Sequence, residues 1–93
     1  MTERIVRIRP QRARDTATGA EIYSVDREHL GYELTGRSWV IPVEQGLGVV
    51  SLYLPRQPVW TDGTPLTTDE VGSARESLEL VLRDWGSRAD FVE

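Results

Sequence analysis

The chain has 93 residues, of which 39% are hydrophobic and 28% are charged, a composition that suits one small domain with a single modest core. Fifteen acidic residues outnumber eleven basic residues, all of them arginine, so the formal net charge is −4. The chain has no cysteine and one histidine. These counts exclude a disulfide scaffold, a thiolate zinc site, an iron–sulfur centre and a cysteine nucleophile.

The charge is distributed unevenly along the chain. Residues 1–14 carry five arginines and one acid, whereas residues 15–93 carry six arginines and fourteen acids. An arginine-rich arm can grip phosphate, but the acidic body would repel a nucleic-acid backbone. We therefore expect this arm, in a partly mobile segment 1–20, to pair with the protein's own acidic surface or to stay solvated. A basic protein is the expected partner, in preference to DNA, RNA or an anionic membrane.

The sequence shows neither a signal peptide nor a membrane span. The N-terminus lacks an apolar central region, and the longest apolar stretch, residues 49–54, is far too short to cross a bilayer. We expect a cytoplasmic protein that folds as a single domain over residues 1–93.

The first thirty residues predict a strand, a loop and an ambiguous segment. Residues 4–9 alternate, which indicates a half-buried strand with Val6 and Ile8 on its core face, ended by Pro10. Residues 10–20 show no period and are predicted to form a loop. The segment that begins at residue 22 fits either a strand or the start of a short helix.

The middle of the chain predicts an antiparallel meander. Residues 32–34, 37–43 and 49–54 have the alternation or composition of strands, and glycine-containing turns separate them. Pro42 has no backbone donor, so its strand is either an edge at that point or directs the missing donor at solvent. The apolar face of the same strand comprises Trp39, Ile41 and Val43.

A proline-containing loop over residues 55–66 leads into an amphipathic helix over about 68–85. Thr67 and Glu70 fit a capping box, and Gly86 suits a left-handed C-cap. Residues 89–92 are a candidate final strand. The predicted fold class is α+β, with an antiparallel sheet of four to five strands packed against this one C-terminal helix. The core stripe of the helix comprises Val71, Ala74, Leu78, Val81, Leu82 and Trp85.

The outer face of the helix is the first candidate binding surface. Asp69, Glu76 and Asp84 cluster opposite the core stripe, around Leu80. An apolar residue ringed by carboxylates is typical of a small interface anchor with an acidic rim. The same pattern also fits a solvated helix surface with one incidental leucine.

The second candidate is the aromatic pair Tyr53 and Trp60, with Asp62 in the loop 55–66. Trp60, in a segment stiffened by prolines, would make a rigid anchor beside Asp62. The alternative is that Trp60 closes the core beneath the loop.

His29 is the only histidine, the residue type that most readily transfers protons near neutral pH. No serine lies on a glycine-framed elbow, and no second histidine is available for a metal. The sequence therefore predicts no catalytic residue, no metal site and no cofactor, and we expect a protein that is not an enzyme. A small enzyme built on His29 is the alternative.

A series of residues from Gly31 to the C-terminus follows the pattern of a known family. The series is Tyr32-Glu33, Gly36-Arg37, Val43-Glu44, Tyr53, Trp60, Asp62-Gly63, Leu66, Glu70, Leu82, Gly86 and Phe91. It resembles immunity protein 74, a family of small bacterial proteins from polymorphic toxin systems. The resemblance covers about two-thirds of the chain, and residues 1–30 have no counterpart in it. It implies a short, cytoplasmic, non-enzymatic α+β protein that binds and blocks a cognate toxin.

We therefore expect an immunity protein that docks an acidic surface on the basic active-site cleft of a toxin and excludes its substrate. A small nucleic-acid-binding or regulatory module that uses the arm from Arg4 to Arg14 is the alternative function. A homodimer formed by edge pairing at 37–43 or through the sheet face is a further alternative. The candidate partner-binding residues are Asp69, Glu76, Leu80, Asp84, Trp60 and Asp62.

Overall fold

The computed structural model describes residues 3–93, which form seven strands and one helix. The strands make one sheet whose spatial order follows the sequence. Every neighbouring pair is antiparallel except β6 and β7, which are parallel and are joined through α1. The elements are β1 (Ile5–Arg9), β2 (Arg12–Asp15), β3 (Ala20–Asp26), β4 (His29–Leu34), β5 (Arg37–Gln45), β6 (Val49–Tyr53), α1 (Thr68–Asp84) and β7 (Arg88–Val92).

The sheet curls into a half-barrel, and α1 packs against β1, β2, β3 and β7. The prediction of an antiparallel sheet of four to five strands was therefore wrong, because the sheet is mixed and has seven strands, although the fold is α+β. The segment that begins at residue 22 belongs to strand β3, not to a helix.

Strand β2 lies in the segment predicted to be a loop. Its inward residues are Ala13 and Asp15, and its outward residues are Arg12 and Arg14. Strand predictions depend on large apolar side chains alternating with polar ones. This strand has none, so nothing in its pattern distinguishes it from a loop.

Strand β1 lies where it was predicted, but its faces are reversed. Val6 and Ile8 are exposed, whereas Ile5 is partly buried and pairs with the buried Asp15 of β2. Alternation shows that two faces differ but does not fix which one meets the core, and the pairing with β2 decides this.

The core lies between the sheet and α1. Tyr32 stacks on Trp60 with ring centroids 6.1 Å apart, and it meets Trp39 edge-on at 6.4 Å. The apolar face predicted for β5 is buried as expected. The buried apolar residues are Ala13, Ala20, Ile22, Leu30, Tyr32, Trp39, Ile41, Val43, Val50, Leu52, Leu54, Trp60, Leu66, Ala74, Leu78, Val81 and Leu82.

Helix α1 begins and ends within one residue of its prediction. The Thr67 hydroxyl accepts from the Glu70 N–H at 3.1 Å, and a Glu70 carboxylate oxygen accepts from the Thr67 N–H at 2.8 Å, which confirms the capping box. At the other end Gly86 has φ +88°, and the Ser87 N–H donates to the Leu82 carbonyl at 2.8 Å. Within residues 3–93, no helix combines the length and apolar character that crossing a lipid bilayer requires.

Strand β5 changes its hydrogen-bonding neighbour partway along its length. Residues 37–42 pair with β4, and residues 43–45 pair with β6. Pro42 lies at the junction and is exposed. Because proline cannot donate to a ladder, it stands where the β5–β6 pairing stops.

Candidate functional site

The acidic residues predicted on the outer face of α1 are bound by the N-terminal arm. Arg4 donates to Glu76 at 3.0 Å, and Arg7 donates to the Asp84 carboxylate and to the Asp84 carbonyl, each at 2.9 Å. Leu80 is partly buried. Two of the three carboxylates around this leucine therefore already have arginine partners. The structure thus has the arm paired with the protein's own acidic surface, one of the arrangements expected from the sequence.

The third carboxylate on the outer face of α1, Asp69, is exposed at the start of the helix. Within residues 3–93 no arginine lies within ion-pair distance of it. It provides a reference position on the helix for charge-reversal experiments.

Trp60 and Asp62 are close in sequence but have different surroundings. Trp60 is only 1% exposed and is stacked on Tyr32, and the guanidinium of Arg37 lies 4.6 Å from its ring centroid. Asp62 is exposed, and hydrogen bonds from Thr64 hold the pKa of its carboxyl below the ordinary value. Trp60 therefore closes the core beneath the loop, which was the alternative to its being a binding anchor. Asp62 organises the turn that follows.

The N-terminal hairpin also positions a buried carboxylate that the sequence did not reveal. Asp15 has no solvent-exposed surface and accepts hydrogen bonds from Arg4 at 3.0 and 3.2 Å, from the Ser77 hydroxyl at 2.6 Å and from the Ala17 N–H at 3.0 Å. Burial acts to raise the pKa of Asp15, but these hydrogen bonds outweigh burial and lower it. The network joins β2 to α1, and only the recognition of β2 as a strand would have pointed to it.

Ion pairs also cover the outer face of β2–β4. Glu21 accepts from Arg12 at 2.6 Å and from Arg14 at 2.9 Å. Arg12 also lies over the ring of Tyr23, and that ring crosses Gly31 so closely that a β-carbon at Gly31 would collide with it. Four of the five arginines of the arm thus contact carboxylates, and within residues 3–93 Arg9 is the one that does not.

A different face of the molecule carries a groove of about 840 Å³ between the β3–β4 turn and the neighbouring parts of β5 and β6. Asp26, Glu28 and Glu44 line it, and Arg27 is the one arginine in its wall. Asp90 lies on the same side of the sheet, because the register pairs Glu44 with Ser51 and Ser51 with Asp90. Four carboxylates therefore surround this part of the sheet.

The four carboxylates around the groove have no arginine partner among the described residues. Within residues 3–93, no arginine nitrogen lies within 4.0 Å of Asp26, Glu28, Glu44 or Asp90. Arginines do contact Asp15, Glu21 and Glu33 of β2–β4 and most of the acids on α1. Four carboxylates without an arginine ion pair are therefore gathered here, with Arg27 in the groove wall and Arg88 on the same face as Asp90.

Exposed apolar side chains adjoin these carboxylates. Tyr53 is 39% exposed, Val40 is 40% exposed and Val59 is 46% exposed. The Tyr53 hydroxyl donates to Glu44 at 2.8 Å, and this hydrogen bond, with the nearby carboxylates, raises the pKa of Tyr53. We call this surface the groove face, and its residues are Asp26, Glu28, Glu44, Asp90, Val40, Tyr53 and Val59.

His29 also lines the groove. Its Nδ1 lies 2.8 Å from a carboxylate oxygen of Asp26, and the hydrogen bond from His29 lowers the pKa of Asp26. Among residues 3–93, no serine, threonine or cysteine lines the groove, and the hydroxyl of its tyrosine is bonded to Glu44. Within residues 3–93, no three histidine or acidic side chains are placed to hold a metal ion. The chemistry available at the groove face is the binding of cationic groups beside an apolar surface.

Comparisons of the chain with protein-family models, curated proteins and solved structures gave no match. The resemblance of residues 31–93 to immunity protein 74 therefore stays a hypothesis from the sequence.

Proposed function

We propose that this protein is not an enzyme but a binding protein that blocks a basic protein partner, and that the partner is a bacterial toxin domain. Occlusion of the toxin's active site would protect the producing cell, and we expect this to take place in the cytoplasm. The observation that supports the proposal is the groove face, where carboxylates without arginine partners surround exposed apolar side chains.

The two components of the groove face suit different steps of binding. Uncompensated carboxylates attract a positively charged cleft over several ångströms and speed the encounter. Apolar side chains such as Tyr53 and Val59 then lose water on contact, which slows dissociation. A nuclease is one class of toxin with a basic cleft, because its substrate is polyanionic.

The groove face fits this role better than the outer face of α1, which is the binding surface predicted from the sequence. Glu76 and Asp84 would have to release Arg4 and Arg7 before meeting a partner's cations. The arginines of the arm pair with carboxylates elsewhere in the protein, which reduces the positive charge available for nucleic acid. We therefore do not propose that this protein is a nucleic-acid-binding or regulatory module.

The experiment uses the reading frame next to the gene, which we expect to encode a secreted protein with a toxic C-terminal domain. Expression of that domain should arrest growth, and co-expression of the present chain should restore it. Calorimetric titration then compares the double variant Glu28→Arg/Glu44→Arg with the wild type. We expect at least about tenfold weaker binding, or ~1.4 kcal/mol, because like charges would face each other.

The matched control is Asp69→Arg, which makes the same kind of charge reversal at an exposed helix position. Its affinity should stay within about twofold of the wild type, with folding of all variants checked by thermal unfolding. Weaker binding by Asp69→Arg alone would show that the interface lies on the outer face of α1 and not on the groove face. A neighbouring frame without a toxic domain, or a domain that this chain does not bind, would refute the proposed function.

A further inference from the structure

Alternate residues of β5 direct their backbone hydrogen-bonding groups away from β4, toward the loop that follows β6. The Ser38 carbonyl accepts from the Thr61 N–H of the loop at 2.8 Å, whereas the Val43 N–H donates to the β4 side at 2.7 Å. Backbone groups alternate between the two edges of a strand. Val40 and Pro42, which share the parity of Ser38, therefore direct their backbone groups away from β4.

Two prolines explain why none of the seven described strands pairs with this edge at Val40. The β5–β6 register stops just before Pro42. Continued, it would set Pro42 opposite Tyr53 and Val40 opposite Pro55. Neither proline has an N–H to donate, so the ladder cannot extend in this direction. The Val40 N–H and carbonyl are left facing the gap between β5 and the loop that follows β6.

The gap has the shape and lining that an extended peptide needs. It is a groove of about 650 Å³ whose walls include Val40, Pro42, Pro55 and Val59. Residues of an extended segment advance ~3.3 Å each, and alternate side chains point to one face. Two or three residues would span the edge from the Ser38 carbonyl, already bonded to Thr61, to the start of the β5–β6 ladder.

Charge defines what should flank such a segment. Pro42 and Tyr53 line both this gap and the groove that contains Glu44, so the gap and the groove are continuous. A segment lying on the edge would carry its neighbouring residues over Glu44 and the β3–β4 turn. Basic residues there would meet carboxylates that have no arginine partner.

We propose that the toxin partner adds a short extended segment, apolar at its centre and basic at one flank, to the edge of β5 at Val40. This inference rests on the proposed function and deepens it, because it makes backbone hydrogen bonds part of recognition. The groove-face carboxylates then select the partner's charge, and the strand edge fixes the position of its chain.

Val40→Pro tests the inference, because it removes the one donor of this edge. The fold should tolerate it, since the Val40 N–H does not serve the β4–β5 ladder and Pro42 already occupies an equivalent position in the same strand. The matched control Val40→Thr keeps the N–H and the β-branched shape. With the neighbouring toxin domain as the probe, we expect Val40→Pro to bind at least about tenfold more weakly than Val40→Thr, which reports any loss due to the side chain alone.

Hydrogen exchange of the Val40 amide provides a second measurement that needs no variant. Exchange should slow at least about a hundredfold in the complex, because the amide becomes hydrogen-bonded. Strand addition is refuted, and the proposed function stands, if the domain binds Val40→Pro as tightly as Val40→Thr and the Val40 amide exchanges at the same rate in the complex. If the domain does not bind at all, both fail. If light scattering shows a dimer that Val40→Pro dissociates, the occupant is a second copy, which overturns the assignment to a toxin.

Discussion

Asp15 is the residue at which the N-terminal hairpin and the helix meet. It is fully buried, and its hydrogen bonds come from Arg4, from Ser77 on α1 and from the backbone at Ala17. A buried carboxylate is tolerated only where such bonds replace its hydration. The polar contact between sheet and helix therefore depends on a side chain that must stay ionised.

We predict that Asp15→Asn lowers the free energy of unfolding at pH 7 by about 2–3 kcal/mol, since charge-assisted hydrogen bonds are lost inside the protein. The pKa of Asp15 is lower in the folded state than its ordinary value, so the unfolded state binds the proton more readily. The stabilisation is therefore complete above about pH 4–5 and is lost as the pH falls through the folded-state pKa.

Urea unfolding between pH 7 and pH 2.5 measures this effect. Wild type should lose stability in acid more steeply than Asp15→Asn, and the exposed replacement Asp69→Asn should keep the wild-type slope. Parallel pH curves for wild type and Asp15→Asn would contradict the role given to this carboxylate.

At the scale of elements, the sequence predicts those helices and strands whose formation depends on residues close together in the chain. Helix α1 has its capping box and its apolar stripe within a single stretch of chain, so its limits could be predicted to within one residue. Strand β2 carries Ala13 and Asp15 on its inner face, and its assignment depends on pairing with β1 and β3. The parallel partnership of β6 and β7 depends on residues far apart in sequence.

The same distinction applies to the candidate site. The exposure of Glu76 and Asp84 follows from the helix period, but their contacts with Arg4 and Arg7 require the sheet to curl until β1 meets α1. The groove face gathers residues from four strands and two connections, and no local pattern unites them. His29 was considered from the sequence, but its carboxylate neighbours across the groove could not be predicted.

The hairpin of β1 and β2 is held against α1 by Arg4 and Arg7. We predict that Arg4→Ala/Arg7→Ala speeds hydrogen exchange of β1 amides at least about tenfold, because this edge strand then opens without the rest of the sheet. Exchange in β4 and β5 should speed up less than in β1, where the loss of the Arg7 contact adds to the loss of the Arg4 bonds with Asp15. Mass spectrometry of peptides from both regions measures this, with Arg9→Ala as a control outside the ion pairs. Equal acceleration in all strands would show that the arginines stabilise the whole fold uniformly.

At the scale of the whole molecule, the net charge of −4 is less informative than its arrangement. Arginines contact carboxylates on the outer face of β2–β4 and on α1, and they leave the groove face negative. Ion pairing of the carboxylates is therefore uneven over the surface, an arrangement that would suit the steering of the basic partner proposed above.

This arrangement predicts how association with the proposed toxin domain depends on salt. The association rate constant should fall about tenfold or more between ~0.05 and ~0.5 M NaCl, because ions screen the groove-face carboxylates, while dissociation changes less. Stopped-flow measurements of wild type and Glu28→Arg/Glu44→Arg test this, and the variant should have the flatter salt dependence. An association rate that ignores salt would mean that charge does not guide the encounter.

The parallel pairing of β6 with β7 also bears on how the chain reaches its native state. Matched positions such as Val49 and Arg88 are about forty residues apart in sequence, whereas turns of a few residues join each of the earlier pairs. Distant pairings form slowly, because more chain entropy is lost before any contact compensates for it. The meander can assemble by successive hairpins, and the arrival of β7 then becomes the slow step of folding.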